Sequence, residues 1–302
     1  MLNRRGITLV ELLISMVVLA IIGVTITKVM SVMLNTSTAQ ITLANSMGEA
    51  RNGTLSLPQE LREVGYDTNV TTLSASTDLI AIAAHRISFK AMRGMAITCG
   101  TPTLTEFKIR KPITGQRLPR GSDEFLLFVE NDPNASFDDQ WLPMAVSVID
   151  SNSTCGTDPA MTLTLSATPL VKSTTPTVAM AISQHRVGGP VRWYERVEYG
   201  PFIDGTSGQA FIGVRSISLG EAAMSPVIGP LPDTTHFTLT YYNAAGTVLN
   251  PAAVNPLLVR SIGVAITTVT DRANNLAGNS ASRATTQYPM YTRVALRNAL
   301  RP

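Results

Sequence analysis

Histidine is almost missing from this chain: His85, His185 and His236 are the only three in 302 residues, and they lie far apart. That is thin material for a metal centre, and no metal ligand set or cofactor is expected. Charge is scarce as well, with 15% Asp, Glu, Lys and Arg. The 24 basic residues barely outnumber the 21 acidic ones, and Arg4 and Arg5 at the extreme N-terminus supply two of that excess. No Lys/Arg block is present that would release counterions from a phosphate backbone, so nucleic acid is not an expected partner. Gly-x-Ser-x-Gly, a Walker loop, a dinucleotide fingerprint and His-Glu-x-x-His are all absent, and Gly205-Thr206-Ser207-Gly208 has the wrong spacing for a nucleophile elbow. No catalytic residue is expected. Asp123-Glu124 and Asp138-Asp139 read as solvated turns.

Cysteine is limited to Cys99 and Cys155, each inside a Thr-Cys-Gly-Thr tetrad. An even number in an exported chain suggests one bridge, and closing a loop of this length contributes roughly 4 kcal/mol on the chain-entropy account. Two unpaired buried thiols are the alternative.

What the chain has in quantity is apolar residues, 44% of the total, and they are concentrated at its start. From Ile7 to Thr27 the only charge is Glu11 and there is no proline. As a helix this run is about 31 Å long, matching a hydrocarbon core of about 30 Å. Arg4 and Arg5 precede it, so the positive-inside rule keeps residues 1–6 cytoplasmic and sends everything after Lys28 across the membrane. A cleaved secretory signal would be shorter, free of acid and closed by a small-x-small site. A plain anchor would fit the length but leaves Glu11 without purpose, since a carboxylate inside a bilayer costs on the order of 3 kcal/mol.

Arg4-Arg5-Gly6 followed by Ile-Thr-Leu-Val-Glu-Leu-Leu-Ile closely resembles the class III signal of type IV prepilins. The resemblance implies that a prepilin peptidase cuts between Gly6 and Ile7 and N-methylates Ile7, where most family members carry phenylalanine. Cutting there creates an ammonium in an apolar setting, and the Glu11 carboxylate of a neighbouring helix can pair with it. Both charges are compensated only when subunits pack side by side, so Glu11 reads as an assembly contact rather than a catalyst.

The helix is expected to continue through residues 28–65, with Val29, Val32, Met33, Ile41, Leu43 and Met47 as an amphipathic stripe. Pro58 is expected to kink or interrupt it, and Gly65 to stop it. Pilins often carry a proline near the membrane exit, where this chain has Lys28.

Residues 66–302 read as a β-rich head, giving an α+β, pilin-like chain. Strands are expected at Leu79–Ala84, Phe125–Val129, Met144–Ile149, Met161–Ala167, Val191–Tyr199, Phe211–Leu219, Thr235–Tyr242, Leu257–Val269 and Tyr291–Arg297. Val191 to Val197 and Phe237 to Tyr241 alternate as half-buried strands do. Residues 242–246 read as a turn, and 271–287 as a mobile loop. Asp132, Asn134, Ser136 and Asp138 begin like a calcium loop. Phe137 stands where the tight-turn glycine belongs, however, and Pro143 where the bidentate acid belongs, so an ordinary polar loop is expected.

The last third adds a second resemblance. Trp193 to Val197, Phe237 to Tyr242 with Gly246, Val259 to Ile262, and the closing Val294-Ala295-Leu296-Arg297-Asn298 follow an order similar to the PilW/PulJ group of larger minor pilins. Residues 67–184 match nothing. The implied function is a minor type IV pilin that primes filament assembly, with prepilin peptidase, other minor and major pilins and the inner membrane as partners. A type II secretion pseudopilin of the J kind is the alternative within that class. A membrane-tethered adhesin is the alternative outside it.

Overall fold

In the computed structural model one α-helix, α1, runs from Leu9 to Arg62. At 1.5 Å per residue its 54 residues extend about 80 Å. The structure describes residues 8–64, 78–111, 113–129, 140–166, 186–253, 255–270 and 285–296. The first half of α1 stands clear of the rest of the protein, and its most apolar window has no buried surface. The second half lies against a head built of strands β1 (Leu79–Ile82), β2 (Ile87–Ile97), β3 (Glu106–Arg110), β4 (Thr114–Gly115), β5 (Glu124–Val129), β6 (Gln140–Cys155) and β7 (Asp158–Leu165). These are followed by β8 (Pro190–Ile203), β9 (Ala210–Ser216), β10 (Ser225–Leu231), β11 (Phe237–Tyr242), β12 (Val248–Leu249), β13 (Ser261–Val269) and β14 (Gln287–Ala295).

All pairings are antiparallel. The larger sheet follows the order β1-β2-β8-β5-β6-β7-β3, with β9 on β8, β10 on β9, and β4 on β2. It curls back on itself. Beyond the end of β2, Thr98 bridges Ile109 of β3, and the Cys99 amide donates to the Lys108 carbonyl at 2.9 Å. β2, β8, β5, β6, β7 and β3 therefore form a closed ring around Phe107, Phe125, Leu127, Leu163 and Trp193. The β2–β8 ladder has a bulge between Met92 and Gly94. A Cβ on Gly94 would stand 2.0 Å from the Trp193 indole, so the ring needs bare backbone at that position.

The smaller sheet, β12-β11-β13-β14, faces α1 and shares a second core with β2, β8, β9 and β10. The turn between β1 and β2 ties the two sheets together. Leu239 N–H donates to the Ala84 carbonyl, the Tyr241 hydroxyl to the Ala83 carbonyl, and His85 Nδ1 to the Phe237 carbonyl at 2.6 Å. On the edge strand β14, Pro289 sits opposite Thr267 at a position that makes no ladder bond to β13, so its missing N–H costs the sheet nothing.

Each expected strand has a counterpart, with shifted ends. The ladder expected from Leu257 begins at Ser261, because Pro256–Leu258 forms a 3-10 turn, and a 3-10 turn at Thr234–His236 likewise precedes β11. β14 begins at Gln287, so the expected loop gives way to strand there; residues 271–284 and Arg297 lie outside the described residues. β2, β3, β4, β10 and β12 were not expected. The strand around Trp193 is not half-buried: Trp193, Tyr194 and Glu195 are buried in succession, because β8 is central and covered on both faces. β11 alternates as expected, and Asn243 to Gly246 forms the turn that follows it, with Gly246 at φ 80°.

Three expectations about α1 and the acids are corrected. Pro58 does not interrupt the helix; it is buried against the head within a continuous α1. The stripe is not a buried seat: Val29, Val32, Met33, Ile41 and Met47 are exposed, Met33 to 69%, and Leu43 is half-buried. Asp123 is no solvated turn residue but 3% exposed, and Arg117 grips it with both terminal nitrogens at 2.6 Å. Gly65, Asp138 and Asp139 lie outside the described residues.

Candidate assembly helix

At its N-terminus α1 closes with a reciprocal cap. Thr8 is the N-cap, and its hydroxyl accepts from the Glu11 amide at 3.3 Å. Glu11 Oε2 accepts in turn from the Thr8 amide at 3.0 Å and the Thr8 hydroxyl at 3.1 Å. A Thr-x-x-Glu spacing is the sequence signature of this capping box, so the pairing was readable before the fold was known. It turns the Glu11 carboxylate back toward the start of the helix, where backbone N–H groups are unpaired and negative charge is favoured. Arg4, Arg5, Gly6 and Ile7 lie outside the described residues.

Beyond the cap, Val10, Leu13, Ile14, Val17 and Val18 form an exposed apolar stripe on the bare helix. Exposed apolar side chains continue past Lys28 through Val29, Met30, Val32, Met33 and Leu34. In water such a surface would associate or enter lipid, so this half of α1 needs an apolar environment.

The other half is fixed by close approach. Ala39, Ser46, Ala50, Gly53, Thr54, Leu57, Pro58 and Leu61 make up its buried face, and most of them are small. A Cβ on Gly53 would lie 2.8 Å from the Ile228 side chain of β10. Thr268 of β13 donates to the Ser46 carbonyl at 3.0 Å, and the Ser46 and Thr268 hydroxyls are 3.2 Å apart.

Near the end of α1 a chain of charges joins helix to head. Arg93 of β2 donates to Glu60 at 3.0 Å, to Glu195 of β8 at 2.7 Å and to Gln116 at 2.9 Å. Tyr199 donates its hydroxyl to Glu60 at 3.1 Å, and Arg117 reaches Glu195 at 3.3 Å as well as Asp123. Burial alone would lower the Arg93 pKa, but the Glu60 and Glu195 carboxylates hold it above its ordinary value. Burial alone would raise Glu195, yet hydrogen bonds from Ser216 and Arg93 and the charge of Arg117 keep it below the usual carboxylate value. Sequence reasoning missed Glu60, Arg93 and Glu195, because nothing in their spacing sets them apart from surface charges.

Cys99 and Cys155 are joined in a disulfide, with Cα atoms 6.0 Å apart. His85 and His236 are engaged with the Phe237 carbonyl and Asp233, while His185 and the Asp132–Asp138 stretch lie outside the described residues.

Residues 1–27 match a family model described as the prokaryotic N-terminal methylation motif. No curated protein and no solved structure matches the chain. A methylation motif implies processing by a prepilin peptidase and assembly with other pilins. Set at the head of a long exposed apolar helix that packs on an antiparallel β head, this motif supports a membrane-anchored, type IV pilin-like protein.

Proposed function

We propose that the protein is a minor type IV pilin, similar to the PilW group, that takes part in priming filament assembly rather than in catalysis. Prepilin peptidase cuts after Gly6 on the cytoplasmic face, removes the leader carrying Arg4 and Arg5, and methylates Ile7. Residues 7–27 then cross the inner membrane once, residues 28–65 continue the helix, and the head of residues 66–302 lies in the periplasm. The new ammonium of one subunit pairs with Glu11 of its neighbour as helices gather at the filament base.

The observation that carries this reading is the methylation motif seated on a helix that leaves its apolar surface bare from Leu9 to Leu34. The Glu11 cap supports it: the carboxylate is already turned toward the end of its helix where a processed terminus would stand. Replacing Glu11 by alanine tests the reading. The variant is expected to be exported and anchored, with its disulfide formed, while surface filaments fall to a small fraction of the wild-type number. Normal filament numbers from a fully processed Glu11→Ala protein would contradict it.

A further inference from the structure

The sheet β12-β11-β13-β14 turns Ile262, Val264, Ile266 and Val294 into the core, so alternation sends Ser261, Gly263, Tyr291 and Arg293 to its opposite face. That outer face is open: the outward residues of β14, from Gln287 to Ala295, are all exposed, Tyr291 to 58%. Ser261, Gly263, Ala265 and Thr267 of the middle strand are small, and β14 reaches over them to β11. Arg293 crosses Ser261, donates from Nε to its hydroxyl at 3.0 Å, and stacks its guanidinium 3.8 Å from the centre of the Tyr242 ring. Tyr291 lies over Gly263, where a Cβ would stand 2.7 Å from the Tyr291 hydroxyl and 3.1 Å from its ring. The Tyr291 and Tyr242 hydroxyls end 3.2 Å apart.

Arg293 is thus fixed by Ser261 and Tyr242, yet its two terminal nitrogens have no partner among the described residues. Its neighbours in the register rows of this face, Thr238, Thr240, Ala265 and Thr267, are neutral. Of the two phenols one donates to the other, which leaves the second phenol proton unused. A held cation and a spare donor therefore stand without an acceptor beside an exposed aromatic ring.

We propose that this face binds a carboxylated pyranose, the repeating unit of an acidic polysaccharide. The sugar carboxylate takes the terminal N–H groups of Arg293 in two parallel charge-assisted hydrogen bonds. The C–H side of the sugar ring, apolar and slightly positive, covers the negative π face of Tyr291. Sugar hydroxyls meet the phenol pair and the hydroxyls of Thr238 and Thr240. The charge count selects this occupant. A nucleic-acid strand or an anionic membrane gains its affinity from a row of cations, and Arg293 is the one charged side chain in these rows.

The test uses the full chain in detergent micelles, titrated calorimetrically with an oligomer of galacturonic acid; it needs no filament and is independent of the assembly reading. The acid oligomer should saturate one site, and its fully methyl-esterified form should bind at least about tenfold more weakly. Arg293→Gln and Tyr291→Leu should each weaken the acid oligomer about tenfold or more, with near-UV dichroism unchanged, and Arg293→Lys, which keeps the charge without the fork, should fall between. Absent binding, or equal binding of acid and ester to the unaltered chain, would overturn the proposal whatever the variants do. So would full affinity in folded Arg293→Gln or Tyr291→Leu protein, or tighter binding of oligothymidylate or oligoglutamate.

Discussion

Arg93 in β2 and Glu60 near the end of α1 meet at 3.0 Å, and this contact makes the helix part of the head rather than a rod attached to it. Arg93 also serves Glu195 and Gln116, so removing it takes a charged partner from two carboxylates at once. Arg93→Met is expected to cost about 3–5 kcal/mol in urea unfolding followed by near-UV dichroism. Glu60→Gln, whose amide oxygen still accepts from Tyr199, should cost markedly less.

The same network sets an acid limit. Glu195 and Glu198 are both held below the ordinary carboxylate value; for each, burial opposes the shift, and hydrogen bonds and arginine charges overcome it. With folded values depressed, the unfolded chain binds more protons as pH falls, so their contribution is complete above about pH 5 and is lost on acidification through the depressed values. Denaturation midpoints measured from pH 7 down to pH 3 should fall, and Glu195→Gln should start lower and show a flatter fall.

Gly53 is held by space rather than by backbone conformation. Alanine there would gain helix propensity of about 1 kcal/mol, but its Cβ would press on Ile228. Gly53→Ala is expected to be destabilising by about 1–3 kcal/mol. Adding Ile228→Ala should make the second change cheaper than it is alone, a coupling that a double-mutant cycle measures.

Much of this protein is legible from its residues. The apolar run that begins at Ile7 signals a long helix, and from Leu9 on α1 is long and apolar enough to cross a membrane, while β11 shows its two faces in strict alternation. The seat of α1 was hidden because close packing selects small side chains such as Ala50 and Gly53, whereas a search for an amphipathic stripe selects large ones such as Val32 and Met33. β10 was hidden by Pro226 and Pro230, which signal breaks although the strand is an edge that tolerates them. β2 was hidden by Lys90 and Arg93, whose charges read as surface until Glu124, Glu60 and Glu195 are placed beside them. Of the candidate site, Thr8 and Glu11 could be read as a capping box, but Arg93 and Glu195 are 102 residues apart and only the fold brings them together.

Intact-mass and N-terminal peptide mass spectrometry of the protein from its native membrane tests the central claim most directly. A chain that begins with N-methylated Ile7 is the predicted result. A chain that retains Met1, or one cut beyond Thr27, would contradict the account.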